Sequence, residues 1–295
     1  MELREFQDIA IATDQFPLDD PNTRIIPLLG MAGEVGSLLE AYKKWLRDGT
    51  AHLLAADHFE DELGDILWYL ANTASKFDLD LNVIAERNIA KTRDRWPPAG
   101  SEPPYVLYDE GLDEREQIPR MMEATFIEKT DEDGREVMAL TINGAPAGNT
   151  LRDNAHDDDG YRFHDIFHLA HAAKLGWSPV VRGVLLKPNH RKRKSLPETD
   201  DVDDGGRAIV IDEAIVAYVW EYARLHNYLE DVKTLDFPVL KTIKMLTSRL
   251  EVRTRSAHQW EEAILAGYGV WRMIKDQQGG TVRVDLQART IEVVQ

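Results

Sequence analysis

The chain has 295 residues, 43% of them hydrophobic and 29% charged, which is enough for two globular domains and too apolar for a disordered segment. Its formal net charge of −17 is spread over both halves and argues against general nucleic-acid binding, which needs basic patches. The lack of cysteine excludes disulfides and thiolate metal sites and fits a reducing, cytoplasmic setting. The amino terminus has no signal-peptide pattern, and no apolar run is expected to reach the roughly 20 residues that span a bilayer, so no membrane partner is expected.

A first helix is expected over residues 3–15 with Phe6, Ile9 and Ala10 inward, followed by a loop rich in Pro, Asp and Asn. A second helix runs from about Ile26 to Arg47 and stops at the turn pair Asp48-Gly49. A third runs from about His58 to Lys76, where Leu63, Ile66, Leu67 and Leu70 have the spacing of a buried stripe. Asp78 or Asp80 can cap a fourth helix that carries Val83, Ile84 and Ile89 and ends before Pro97-Pro98. Residues 1–97 thus read as an all-α four-helix domain, and residues 98–104 as a stiff linker.

Residues 105–295 read as one α+β domain with short antiparallel strands. Segments 124–129 and 136–142 flank a turn sequence, Asp131-Glu132-Asp133-Gly134, and form a hairpin. Helices follow at about 161–175, 207–229, 237–250 and 256–275, and a second hairpin, 281–285 with 290–294, ends the chain. The basic run 187–194 and the acidic run 200–204 are expected to share one loop region. The basic run lacks interleaved aromatics and is rated low as a nucleic-acid site.

The chemistry concentrates in two places. Glu62, Asp65 and Tyr69 fall on one face of the third helix, and Glu34 on the second helix lies between Gly33 and Gly36. Carboxylates facing each other across two helices can hold Mg2+, a hard cation that takes oxygen ligands. Three glycines beside these acids, Gly33, Gly36 and Gly64, weaken the helices and suggest tight packing or ligand approach at that level. The bland alternative is that the acids are solvated charges on amphipathic helices. Trp45, Trp68 and Tyr69 can stack on any base.

The stretches LLGMAGEVGSLLEAYKKWL, DELGDILWYLA and LDLNVIAERNIAKTRDRW resemble the MazG-like all-α nucleoside triphosphate pyrophosphohydrolases, over residues 5–97. The resemblance implies that Glu34, Glu62 and Asp65 are magnesium ligands and catalytic acids, with Mn2+ as a substitute. It implies that Tyr69 and Asn88 face the nucleotide, that Lys91 and Arg95 contact phosphates, and that Lys43, Lys44 and Trp45 lie near the pocket. It also implies a homodimer or higher homo-oligomer and a nucleoside triphosphate substrate. Ser37 stands where the pattern has the second acid of its E-x-x-E motif, which puts metal count and turnover rate in question. The stretch from Tyr161 to about Trp271 resembles a domain that recurs C-terminal to MazG-like modules.

In the second domain His164, His168 and His171 share one helical face, with Asp165 adjacent and Asp212-Glu213 available as carboxylates. They read either as core or interface histidines bonded to acids or as a transition-metal site. The leading expectation for the whole chain is Mg2+-dependent hydrolysis of nucleoside triphosphates to the monophosphate and pyrophosphate. The alternatives are a catalytically weakened nucleotide sensor signalling to the C-terminal domain, or a separate metal-dependent activity at the histidine face.

Overall fold

The computed structural model describes residues 1–16, 20–49, 56–101, 105–111, 114, 117–153, 158–186 and 206–294. The runs at 187–194 and 200–204 lie outside the described residues, as does the linker segment 102–104. Two compact units divide the chain, Met1–Arg93 and Asp94–Gln295.

The first unit is helical, with α1 at Leu3–Ala12, α2 at Ile26–Asp48, α3 at Ala56–Lys76 and α4 starting at Leu81 and ending at Arg95. Pro27 sits in the first turn of α2, where its missing N–H is no loss. Asp80 caps α4, its Oδ1 accepting from the N–H groups of Asn82 (2.8 Å) and Val83 (3.2 Å). Gln7 pins α1 to the turn before α4: its amide donates to the Leu79 carbonyl, and its oxygen accepts from the Leu81 N–H, each at 2.8 Å. Lys76 and Asp14 form a buried ion pair at 2.6 Å.

The buried core of this unit is small. It comprises Ala10, Ala71, Ala74 and Leu81, with Leu3, Phe6 and Trp68 packed against it. The stripe expected to be buried on α3 is not: Leu63, Leu67 and Leu70 are exposed, as are Ile9 on α1 and Leu29 and Leu39 on α2. The helical spacing is present, but three or four helices of this length leave one apolar face without a layer to cover it. The stretch Pro21–Asp48 is also long and apolar enough, by length and composition alone, to cross a membrane. That corrects the expectation that no such run exists. The cause is that Glu34 is the one charged residue between Ile25 and Leu39.

The second unit is built on a five-stranded antiparallel sheet in the order β3-β2-β1-β4-β5. The strands are β1 (Met121–Thr130), β2 (Glu136–Ile142), β3 (Ala145–Leu151), β4 (Gly279–Asp285) and β5 (Thr290–Val294). Met122, Ala124 and Phe126 on β1 alternate into the core, the period-two pattern of a half-buried strand. Strand β3 was not anticipated, because Ala-Pro-Ala-Gly-Asn has low β propensity. It lies at the sheet edge, the position where a strand tolerates proline. The signal for it is Asn143-Gly144, both with positive φ, the dipeptide of a tight hairpin turn.

The helices of this unit are α5 (Asp165–Leu175), α6 (Gly206–Arg224), α7 (Phe237–Leu246) and α8 (Ala257–Asp276). Helix α5 is buried on nearly every side, which explains its near-continuous apolar sequence. It packs along α8 and the sheet in a core containing Trp177, Trp260, Trp271 and Tyr268. Helix α8 opens with a capping box between Ser256 and Gln259.

Candidate active site

Helices α2 and α3 run beside each other and bring the predicted acids together. Glu34 and Glu62 are partly buried and Asp65 is exposed. The Glu34 carboxyl is held above the ordinary carboxylate range, first by loss of solvation, then by a hydrogen bond with Glu62 and by the negative charges of Glu62 and Asp65. A cation between these carboxyl groups would relieve the same repulsion.

Such a donor set fits Mg2+, which is held by one or two carboxylates and completes its sphere with water and substrate phosphates. Among the described residues, the groupings that place three His, Asp or Glu ligand atoms within 4.8 Å of one another do not include this trio. Glu62 and Asp65 are both near enough to act on Glu34 electrostatically. Ser37 and Asp61 are exposed on the same two helices.

Tyr69, one turn beyond Asp65, lies against Gly30 of α2, where a Cβ would overlap its ring. Trp68 meets Tyr69 edge-on, 5.0 Å between ring centres, and its indole donates to Thr13 Oγ1 at 2.8 Å. Trp68 is thereby committed to α1. The close-approach glycine is Gly30 and not one of the three beside the acids. Around Gly33, Gly36 and Gly64 there is open space, so the tight packing expected there is absent.

The remaining candidates are less concentrated. Lys43 is exposed, and Lys44 pairs with Glu40 at 3.0 Å, which holds the Glu40 carboxyl low. Trp45 packs on Tyr42, 5.5 Å between ring centres. Asn88 and Lys91 are exposed on α4. Arg95 donates to the Leu235 carbonyl at 2.8 Å and lies over the Trp96 and Phe237 rings, so its guanidinium is engaged within the second unit.

The predicted histidines converge between α5 and α6. His168 is fully buried, with its Nδ1 3.1 Å from Asp212 Oδ1 and its Nε2 3.3 Å from Glu213 Oε2. Burial alone would push the His168 imidazole down, but Asp212 and Glu213 outweigh it and raise it to about 10. His171 Nδ1 donates to Asp212 Oδ1 at 2.9 Å, and Ser178 Oγ donates to Asp212 Oδ2 at 2.7 Å. Burial would raise Asp212, but His168 and His171 draw it well below the usual range. Asp165, also buried, is pushed up by loss of solvation; its Oδ1 is 3.8 Å from His164 Nε2. The core-histidine reading describes His171, and Ser178 is the member of this network that sequence reasoning missed.

Comparison with known proteins decides the family. Residues 25–99 match the MazG nucleotide pyrophosphohydrolase domain, and residues 103–295 match the MazG C-terminal domain. The chain belongs to the MazG family. Its N-terminal MazG domain is the one that carries Glu34, Glu62 and Asp65. The chain is similar to the Gene 37 protein of Mycobacterium phage L5, 36% identical over 69 residues, which is 23% of this chain and 60% of that protein. The chain thus spans less than two thirds of that relative. No solved structure matches it.

Proposed function

We propose that the MazG domain hydrolyses nucleoside triphosphates to the nucleoside monophosphate and pyrophosphate. The close pairing of Glu34 with Glu62, next to Asp65, carries this reading. Mg2+, or Mn2+ in its place, would be held by these acids and would neutralise the triphosphate and acidify water. Whichever of Glu34 and Glu62 is left free of the ion would polarise the attacking water and take its proton. The new bond forms from the water oxygen to the α-phosphorus, and the bond from that phosphorus to the bridging oxygen breaks, releasing pyrophosphate. Tyr69 and Trp45 offer ring faces for a base. Lys43 and Lys91 offer positive charge for phosphates.

The working form is proposed to be a homodimer or higher homo-oligomer. Leu39 is 62% exposed and Leu63 is 53% exposed on the two helices that carry the acids. Large apolar side chains left exposed on both helices favour an interface there.

Ser37 favours a second reading, a nucleotide sensor with weakened turnover, because a hydroxyl brings no charge to the metal. Pyrophosphate release from a panel of standard and modified nucleoside triphosphates, with and without Mg2+, tests both. Metal-dependent release by the wild-type chain that is abolished by Asp65→Asn, with helical circular dichroism retained, supports the hydrolase. Nucleotide binding without release supports the sensor. Release unchanged in Asp65→Asn overturns the site assignment.

A further inference from the structure

The histidine cluster lies in the C-terminal region, apart in sequence from the acids of the MazG domain. His164 stands at the start of α5 and His168 one turn later, the i,i+4 spacing that lets two imidazoles reach one ion from a rigid helix. Glu213 reaches in from α6. One ligand atom from each of these three residues lies within 4.8 Å of the others.

The geometry points to a site for a divalent transition-metal ion, foremost Zn2+, held by His164, His168 and Glu213, with Asp212 as the outer partner of His168. Both ring nitrogens of His168 are buried without an aligned hydrogen bond, although carboxylate oxygens stand 3.1 Å and 3.3 Å away. A nitrogen and an oxygen that lie close but do not aim at each other are placed as two ligands of a common ion. Metal bonds of ~2.0–2.2 Å at tetrahedral angles put neighbouring ligand atoms roughly 3.3–3.5 Å apart, close to the His168–Glu213 distance.

The outer contacts favour the same assignment. The Nδ1–H of His164 donates to the Tyr161 carbonyl at 2.9 Å, and the Tyr161 ring stacks on the imidazole at 4.6 Å with a 12° tilt. That bond fixes the tautomer and leaves the Nε2 lone pair of His164 available. Asp212 faces Nδ1 of His168 and so leaves its Nε2 toward Glu213. Metal-binding histidines characteristically turn their second nitrogen to a carbonyl or carboxylate in this way.

A rival trio, His168, His171 and Asp212, also has its ligand atoms within 4.8 Å. There Asp212 is already occupied, accepting from His171, Ser178 and the Val180 N–H (3.3 Å). All three of its residues are buried, whereas the Glu213 side chain is 43% exposed and gives an ion a way in. Two imidazoles and one carboxylate leave a fourth position for water, the composition of an open zinc site. First-row neighbours such as Mn2+ or Co2+ take similar ligands.

The test uses the full chain carrying Glu62→Gln and Asp65→Asn, which removes the acidic site of the MazG domain, stripped with chelator and titrated with Zn2+ by calorimetry. One equivalent of Zn2+ is expected to bind, with affinity weakened ~100-fold or more by Glu213→Gln and by His164→Gln. Absence of bound zinc, or binding unchanged in both variants, overturns the site. X-ray absorption at the zinc edge on the chain with both histidines intact counts imidazole ligands directly and does not depend on how the variants fold. Two imidazoles support the assignment, and none overturns it.

Discussion

Tyr69 fills the space that a side chain at position 30 would need. The ring of α3 and the bare backbone of α2 are therefore matched, and Gly30→Ala must displace the tyrosine. The expected result is a raised KM for the nucleotide with a smaller change in kcat, if Tyr69 stacks on the base. Gly33→Ala is the control. Open space surrounds that position, so the alanine should leave KM unchanged and stabilise α2 by up to about 1 kcal/mol. Steady-state kinetics and thermal midpoints of the two variants check both statements.

The Lys76 ammonium meets Asp14 at 2.6 Å with side-chain exposures of 0% and 4%, and it also donates to the Phe16 carbonyl at 3.2 Å. Removing one partner of such a pair leaves a buried charge without its counter-charge. Asp14→Asn is expected to destabilise the N-terminal unit by ~3–5 kcal/mol, with partial recovery in the Asp14→Asn/Lys76→Met double variant. Urea titration followed by circular dichroism measures both. An Asp14→Asn midpoint equal to wild type would show the pair to be energetically silent.

Glu34 has a sign that sets pH dependence. Its folded-state proton affinity is raised, so its contribution to stability is complete below the ordinary value of 4.5 and is lost as pH rises through the folded value. In metal-free buffer the N-terminal unit should lose thermal stability as pH climbs from 4.5 toward neutrality. Glu34→Gln should flatten that decline. A decline of equal size in the variant would place its origin elsewhere.

The exposed apolar face on α2 and α3 predicts a self-associated chain. Leu39→Glu combined with Leu63→Glu should lower the mass measured by light scattering to that of a monomer. The double variant should keep its helical signal while releasing pyrophosphate more slowly. A wild-type chain that is already monomeric at micromolar concentration would refute the interface.

The helices of the MazG domain and the acids on them were legible because helical periodicity and i,i+3 spacing are local properties. Glu34 and Glu62 lie on neighbouring helices, close enough for each to feel the other's charge. Burial was less legible: Leu63 and Leu67 have the spacing of a core stripe, yet whether a stripe is covered depends on what lies beyond the helix. Gly30 was passed over for Gly33, Gly36 and Gly64 because the sequence shows where a helix is weakened, not which ring lands on it. In the C-terminal region the histidines were visible, but the hub role of Asp212 required α6 to fold back beside α5, and Ser178 entered that network only through tertiary structure. Strand β3 was hidden by composition, since Pro146 and Gly148 read as loop.

The central strand β1 bonds on one side to β2, its hairpin partner, and on the other to β4; Thr125 and Thr281 touch across that seam, 156 residues apart in the chain. During synthesis one edge of β1 stays open while more than a hundred further residues are assembled. The long-range closure makes the C-terminal region a slow folder relative to the local helices of the MazG domain, and it leaves Met122, Ala124 and Phe126 exposed to non-native pairing in the interval. The ribosome's pace, and any chaperone that shields a nascent strand, thus bear on the yield of native protein more heavily at β1 than anywhere in the helical half.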